Sequence, residues 1–257
     1  MNTPSPSNGQ MSQVIARDEI HLWLVSLELS EAYLRYLWGL LSGDEQQRAD
    51  RFHFERDRLR FIASRGTLRC ILSGYTHLPP ERLRFQYGSS GKPALSEDWN
   101  PSDLRFNLSH SHELALYAFV PCHEIGVDIE RVYQVQDVET LARRFFSRRE
   151  YETLQSSPEY LKLEVFYNCW TRKEAYIKAC GDGVSMPLDR FEVSLALNEP
   201  AQLFSIEGSQ AEASRWQLHA FVPAPDYIAA LAVERGHWKL VQAHWREQQQ
   251  VEQLLCT

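Results

Sequence analysis

Apolar positions follow two spacings along the chain, and each change of spacing marks an element. His21-Leu-Trp-Leu-Val-Ser-Leu-Glu28 is short, apolar and rich in strand formers, so ordered structure is expected to begin near Glu19 with a strand. Ser30–Leu41 carries Leu34, Leu37, Leu40 and Leu41 at helical spacing. Ser42-Gly-Asp-Glu45 breaks that pattern and starts another. From Glu45 to about Ser73, Phe52, Phe61, Leu68, Ile71 and Leu72 punctuate a charged segment, which predicts one or two long helices that Pro79-Pro80 stop. A loop-rich stretch around Gly91-Lys92-Pro93 follows. Leu104–Leu108 and Leu114–Val120 predict two strands joined by Ser109-His110-Ser111-His112, and Ile125–Arg131 predicts a third. Val138–Leu154 and Tyr160–Cys180 return to helical periodicity, the latter ending at Gly181-Asp-Gly183. Phe191–Leu197, Trp216–Val222 and Tyr227–Val233 read as strands. Trp238 to Thr257 reads as a polar, Gln-rich tail, at most a surface helix.

The order of elements repeats weakly. A long helix over 45–73, the loop Gly91-Lys-Pro93 and strands to Val120 are echoed by a helix over 160–180, the loop Gly183–Pro187 and strands to Val233. The expected fold is α+β, with two similar subdomains related by pseudo-twofold symmetry and a cleft between them. The expected limits are a disordered segment over 1–18, subdomains over 19–122 and 123–236, and a polar tail over 237–257.

Composition narrows the class. With 44% hydrophobic and 24% charged residues the chain is ordinary globular material. Its 27 basic and 34 acidic residues leave a net charge of −7, which argues against a general nucleic-acid binder. No apolar run reaches the roughly 20 residues of a membrane span, and the polar Pro/Ser-rich start lacks the form of a signal peptide. The five cysteines are scattered with no CxxC pair, so the expected compartment is the reducing cytoplasm.

Three carboxylates carry the candidate chemistry. Asp128 and Glu130 in Gly126-Val-Asp-Ile-Glu130 share one strand face, with Val127 and Ile129 on the other. Trp170, Glu174 and Lys178 share one helix face. Three carboxylates beside a lysine suit Mg²⁺ bridging to a pyrophosphate. Taken singly, the strand pair also reads as solvated acids and Glu174–Lys178 as an ordinary helix ion pair. Lys92 in its tight loop, Ser109 and His110 at a strand end, and the arginines 48, 51, 56, 58 and 60 are further phosphate-facing candidates, each of which alone reads as a solvated turn or helix face.

Together and in this order, Gly91-Lys-Pro93, Asn107-Leu-Ser-His-Ser111, Gly126-Val-Asp-Ile-Glu130, Arg144-Phe-Phe-Ser-Arg-Arg-Glu150 and Trp170-Thr-Arg-Lys-Glu-Ala-Tyr-Ile-Lys178 resemble the 4′-phosphopantetheinyl transferase superfamily. The likeness is to its longer surfactin-synthetase type and runs from about Ile20 to Val233. It implies coenzyme A bound between the halves, with Mg²⁺ held by Asp128, Glu130 and Glu174. It further implies Lys178 on the pyrophosphate, Lys92, Ser109 and His110 on coenzyme A phosphates, and Arg60 near the 3′-phosphate. Glu150 matches a glutamate that helps deprotonate the attacking serine. Glu45 departs from relatives with a lysine there, so a different grip on the nucleotide end is expected. The implied reaction moves phosphopantetheine from coenzyme A to a serine of an apo acyl or peptidyl carrier protein, releasing 3′,5′-ADP. The same residues leave open a Mg²⁺-dependent coenzyme A phosphodiesterase, or a coenzyme A-binding module without turnover. Arg143-Arg-Phe-Phe-Ser-Arg-Arg149 offers cations beside apolar groups, suited to an acidic carrier. Since one chain supplies both halves of its cleft, a monomer is expected.

Overall fold

The computed structural model describes residues 13–88, 91–96, 98, 100, 103–135, 137–181, 186–196, 199–245 and 247. The expected disordered segment falls mostly outside them. Of its described part, the Gln13 amide donates to Gly74 O at 3.0 Å.

The first half opens with β1 (Glu19–Ser26) and α1 (Glu31–Leu40), where Ser30 Oγ caps the helix by accepting from the Tyr33 amide. Then come α2 (Gly43–Ala49) and α3 (Glu55–Thr76), whose last carbonyls are closed off by His77 in the left-handed region at φ 58°. Two short strands, β2 (Phe85–Tyr87) and β3 (Pro93–Leu95), precede β4 (Leu104–Ser111) and β5 (Leu114–Pro121). The second half holds β6 (Ile125–Arg131), α4 (Val138–Phe145), α5 (Arg148–Ser156) and α6 (Lys162–Cys180). After these come β7 (Phe191–Val193), β8 (Leu203–Ile206), α7 (Gln210–Ala213), β9 (Trp216–Phe221), β10 (Tyr227–Glu234) and β11 (Lys239–Trp245).

Two sheets carry the architecture, ordered β11-β1-β5-β4 and β6-β10-β9. Strand periodicity explains how they stack. On β5, Ala115, Tyr117 and Phe119 face α3 with Leu68, Ile71 and Leu72, while Leu116, Ala118 and Val120 face the other way. On β6, Val127 and Ile129 point toward that second face, where they meet Ala229, Leu231 and Val233 of β10. The intervening positions Ile228, Ala230 and Ala232 of β10 pack under α6. The layers therefore run helix, sheet, sheet, helix, and each half is a sheet carrying one long helix, as the repeat implied. The Gly183–Pro187 loop lies largely outside the described residues.

Small residues bring α6 close to its sheet. A Cβ on Gly126 would collide with Ala175 O and the Ala179 amide nitrogen, and would sit 2.8 Å from the Lys178 carbonyl carbon. Gly126→Ala should therefore push out the helix that carries Glu174 and Lys178. We expect a loss of about 3 kcal/mol, the upper range for overpacking, read as a lower denaturant midpoint together with reduced activity.

Three expectations are corrected. Residues 238–257 were expected as a polar tail or surface helix, but Lys239–Trp245 forms β11, parallel to β1. The exposed edge of β1 is thereby covered, and Trp245 packs edge-on against Trp23 with centroids 6.0 Å apart. The helical stretch expected over 138–154 is divided into two helices, because Ser147 and Glu150 form a reciprocal capping box that starts a new one. Finally, Ser109-His110-Ser111 is not a connecting loop but the end of β4, and the turn is made at His112, which takes φ 54°.

Candidate active site

β4 of the first half lies beside β6 of the second without a backbone ladder, and side chains make the join. Asn107 Oδ1 accepts from the Val127 amide at 2.9 Å. Two residues on, Ser109 Oγ donates to Asp128 Oδ1 at 2.8 Å. Two further, Ser111 Oγ donates to Glu130 Oε2 at 2.8 Å and accepts from the Arg131 amide at 3.2 Å. The period of two along both strands puts each hydroxyl opposite a carboxylate. α6 supplies the opposite wall: Lys178 Nζ lies 2.6 Å from Asp128 Oδ1 and donates to Ser109 Oγ at 2.9 Å. The helix ion pair between Glu174 and Lys178 considered from sequence is not formed. Ser109, His110, Asp128, Glu130, Glu174 and Lys178 thus line one cleft of about 370 Å³, with Trp170 at its side.

The cleft is over-supplied with negative charge. Burial, and then the neighbouring Asp128, push Glu130 up to about 7. The same two causes raise Glu174. Asp128 is 2% exposed and its Oδ2 is buried with no hydrogen-bond partner. An oxygen-seeking cation would relieve all three. Among the described residues no three His, Cys, Asp or Glu side chains group closely enough to hold a metal on their own. The donor set still fits Mg²⁺ in kind, since that ion commonly takes one or two carboxylates and completes its shell with substrate phosphates and water.

His110 faces the cations. Burial first, then the charges of Lys178 and Arg60, hold its imidazole below the ordinary 6.5. A depressed folded value means that the unfolded chain binds the proton more readily. The neutral ring therefore supports folding above about pH 6.5, and that support is lost as pH falls through the lower folded value. We expect the melting temperature to drop more between pH 7.5 and 5.5 in the wild type than in His110→Gln. Equal slopes by calorimetry would contradict this.

The remaining assigned residues are dispersed. Arg60 on α3 reaches the same end of β4, with Nη2 3.9 Å from Glu113 Oε1. Lys92 lies in a neighbouring cavity of about 590 Å³. Its ammonium donates to Glu124 Oε2 at 3.2 Å, Ile125 O at 3.0 Å and Ala179 O at 3.3 Å, and burial lowers its pKa. Glu150 is not brought to the cleft. It is 1% exposed, its Oε1 accepts from the Val193 amide, and its Oε2 accepts from the Ser147 amide and pairs with Lys173 at 2.8 Å. In this structure Glu150 caps α5 and compensates Lys173, and it does not line the cleft. Glu45 likewise turns inward, 2.7 Å from Arg69 Nε. In the basic run, Phe146 belongs to the core and Phe145 stands edge-on to Trp170, while Arg148 pairs with Glu152. Sequence reasoning left Ser111 without a role of its own. The signal was there, since Ser111 stands at i+2 from Ser109 just as Glu130 stands at i+2 from Asp128.

Two family descriptions match this chain in tandem: "4'-phosphopantetheinyl transferase, N-terminal" over residues 28–121 and "4'-phosphopantetheinyl transferase superfamily" over residues 124–232. The 4′-phosphopantetheinyl transferase HetI of Nostoc sp. is 43% identical over 236 residues, covering 92% of this chain and 94% of the relative. The chain belongs to the 4′-phosphopantetheinyl transferase superfamily. The 4′-phosphopantetheinyl transferase Sfp of Bacillus subtilis is 31% identical over 171 residues, 66% of this chain and 72% of its own. Among solved structures, Thermotoga maritima holo-[acyl-carrier-protein] synthase aligns over 44% of this chain and 62% of its own at 19% identity, with a TM-score of 0.35. Within the superfamily chain, the join between the two matched regions falls at residues 121–124, where β5 gives way to β6. No helix among the described residues is long and apolar enough to cross a membrane.

Proposed function

We propose that this protein transfers the 4′-phosphopantetheine arm of coenzyme A to a serine of an apo acyl or peptidyl carrier protein, releasing 3′,5′-ADP. The observation that carries the reading is the cleft itself: three carboxylates from β6 and α6 meeting Lys178, Ser109 and His110, in a chain of this superfamily. Asp128, Glu130 and Glu174 are the residues that would hold Mg²⁺, and the ion when bound supplies Lewis-acid stabilisation of the pyrophosphate charge. Lys178 offsets charge that develops on the β-phosphate. His110 and Ser109 hydrogen-bond phosphate oxygens, Arg60 faces the 3′-phosphate, and Lys92 serves the part of coenzyme A that extends into the neighbouring cavity. The serine oxygen bonds to the β-phosphorus as the bond to the bridging oxygen breaks. The serine proton leaves to water at the mouth of the cleft, since the carboxylates assigned to the ion are poor bases once they hold it.

We place subdomain limits at 19–122 and 123–236, and the carrier on the basic face of α4 and α5. Charge reversal of Arg148 and Arg149 should slow transfer to an acidic carrier, and an unchanged rate would remove that face from docking. The protein is proposed to act as a cytoplasmic monomer.

The test is intact-mass spectrometry of an apo acyl carrier protein incubated with this protein, coenzyme A and Mg²⁺. One added phosphopantetheine arm, lost with EDTA, supports transfer and the metal together. Coenzyme A consumed with no gain of mass would make the protein a phosphodiesterase. Binding without consumption would make it a coenzyme A-binding module.

A further inference from the structure

The turn that follows Ser111 carries a carboxylate that the reaction scheme does not use. Glu113 belongs to the first half, held there by its carbonyl, which accepts from the Leu27 amide at 2.7 Å. Its side chain crosses to the second half. Arg131 Nη1 donates to both carboxylate oxygens, at 3.1 and 3.2 Å, and the Tyr227 hydroxyl donates to Oε2 at 2.7 Å. Arg131 and Tyr227 face each other in the β6–β10 ladder, so they form one rigid pair of donors. On the open side of the carboxylate stands Arg60 of α3, 3.9 Å from Oε1. The hydrogen bond from Tyr227, with Arg131 adding to it, holds the Glu113 carboxyl below the usual range, so it is ionised at neutral pH.

Consider Arg60 without this partner. An arginine carries four rotatable side-chain bonds, and pointing it at a ligand costs rotamer entropy when nothing orders it beforehand. A fixed carboxylate 3.9 Å away supplies that order without a close, desolvated pair that the ligand would have to break. The carboxylate is fixed because two donors from the other half hold it. The stretch of α3 that bears Arg60 is thus referenced to β6, the strand that bears Asp128 and Glu130.

We propose that Glu113 is a positioning residue for the nucleotide end of coenzyme A, tying the β4–β5 turn to Arg131 and Tyr227 across the two halves and holding Arg60 toward the 3′-phosphate. The inference rests on the reading of the cleft given above, and on Arg60 as the 3′-phosphate contact. Glu113 touches no reacting atom in this scheme, so its effect belongs in the binding of the donor and not in the chemical step.

The experiment compares coenzyme A with 3′-dephospho-coenzyme A as donor for the wild type, Glu113→Ala, Glu113→Gln, Arg60→Ala and the double variant. Glu113→Ala should raise KM for coenzyme A about tenfold, the scale of one lost charge-assisted contact, with kcat within twofold. Its KM for the dephospho donor should stay at the wild-type value. Glu113→Gln, which keeps an acceptor for Tyr227 and Arg131, should recover part of the loss. The double variant should be no worse than Arg60→Ala, as for two residues acting through one contact. If Arg60→Ala discriminates between the donors and Glu113→Ala does not, the positioning role is overturned while the reading of the cleft stands. If Glu113→Ala weakens both donors equally and lowers kcat with the melting temperature, Glu113 is a structural tie only and the proposal fails. If Arg60→Ala treats both donors alike, the 3′-phosphate assignment itself is wrong, and the proposal goes with it.

Discussion

Asp128→Ala is expected to lower the rate of phosphopantetheine transfer by roughly a thousandfold, about 4 kcal/mol in the barrier, while leaving the protein folded. That is the upper scale for removing one preorganised electrostatic group from a buried site. Asp128 is the shared node of the cleft: Ser109 Oγ and Lys178 Nζ both converge on its Oδ1, at 2.8 and 2.6 Å, and Oδ2 is the buried oxygen left without a partner. Without it the site loses the buried, unpartnered oxygen proposed to face the ion, and Lys178 loses the anchor that aims it. The fold should tolerate the change. The backbone of β6 is held by β10 through Ala230, and Asp128 raises both Glu130 and Glu174, so its removal relieves like-charge repulsion. Steady-state transfer to an apo carrier, with a melting curve beside it, checks both halves of the expectation. Near-normal turnover would end the role given to Asp128.

The second large effect is on stability. Glu150→Ala is expected to destabilise the fold by about 3–5 kcal/mol, the range found when one partner of a buried ion pair is removed. For a chain of this size that corresponds to a drop of roughly 10 °C in melting temperature. Lys173 is fully buried. Its ammonium is met by Leu188 O at 2.7 Å, Phe191 O at 2.5 Å and the face of the Phe191 ring at 4.3 Å, but Glu150 is its one carboxylate among the described residues. Truncation leaves that charge uncompensated and also uncaps α5. Glu150→Gln keeps the shape and loses the charge, so it should lie between the two in stability. Both variants should keep kcat within a few-fold when assayed well below their melting temperatures. A stable Glu150→Gln protein with collapsed turnover would show a catalytic role for Glu150.

Glu150 and Glu45 together show what local spacing holds and what it does not. Glu150 sits in Ser147-x-x-Glu150, a spacing that announces a helix start, and Glu45 sits in the matching Ser42-x-x-Glu45. Each is buried and paired with a lysine or arginine from a helix distant in sequence. Local spacing gave the cap, but no local feature gave the buried cation, because Lys173 and Arg69 meet these acids only after α3 and α6 have packed. The basic run 143–149 divides for a similar reason. Its amphipathic pattern is local, whereas the burial of Phe146 against Phe166 is a tertiary contact.

The sequence by itself determined most of the longer elements and the facing of the key side chains. Period two on β6 put Asp128 and Glu130 opposite Val127 and Ile129, and helical spacing put Glu174 and Lys178 on one stripe, because both follow from backbone geometry alone. The order of the motifs also pointed to the superfamily. The tertiary structure decided which of those faces meet. It set Ser109 and Ser111 against the carboxylates, sent Glu150 into the core, folded the supposed tail back as β11 beside β1, and carried Glu113 across to Arg131 and Tyr227. Each of these joins residues many positions apart, through contacts that exist only once two apolar faces have found each other, and no local pattern along the chain encodes which faces those are.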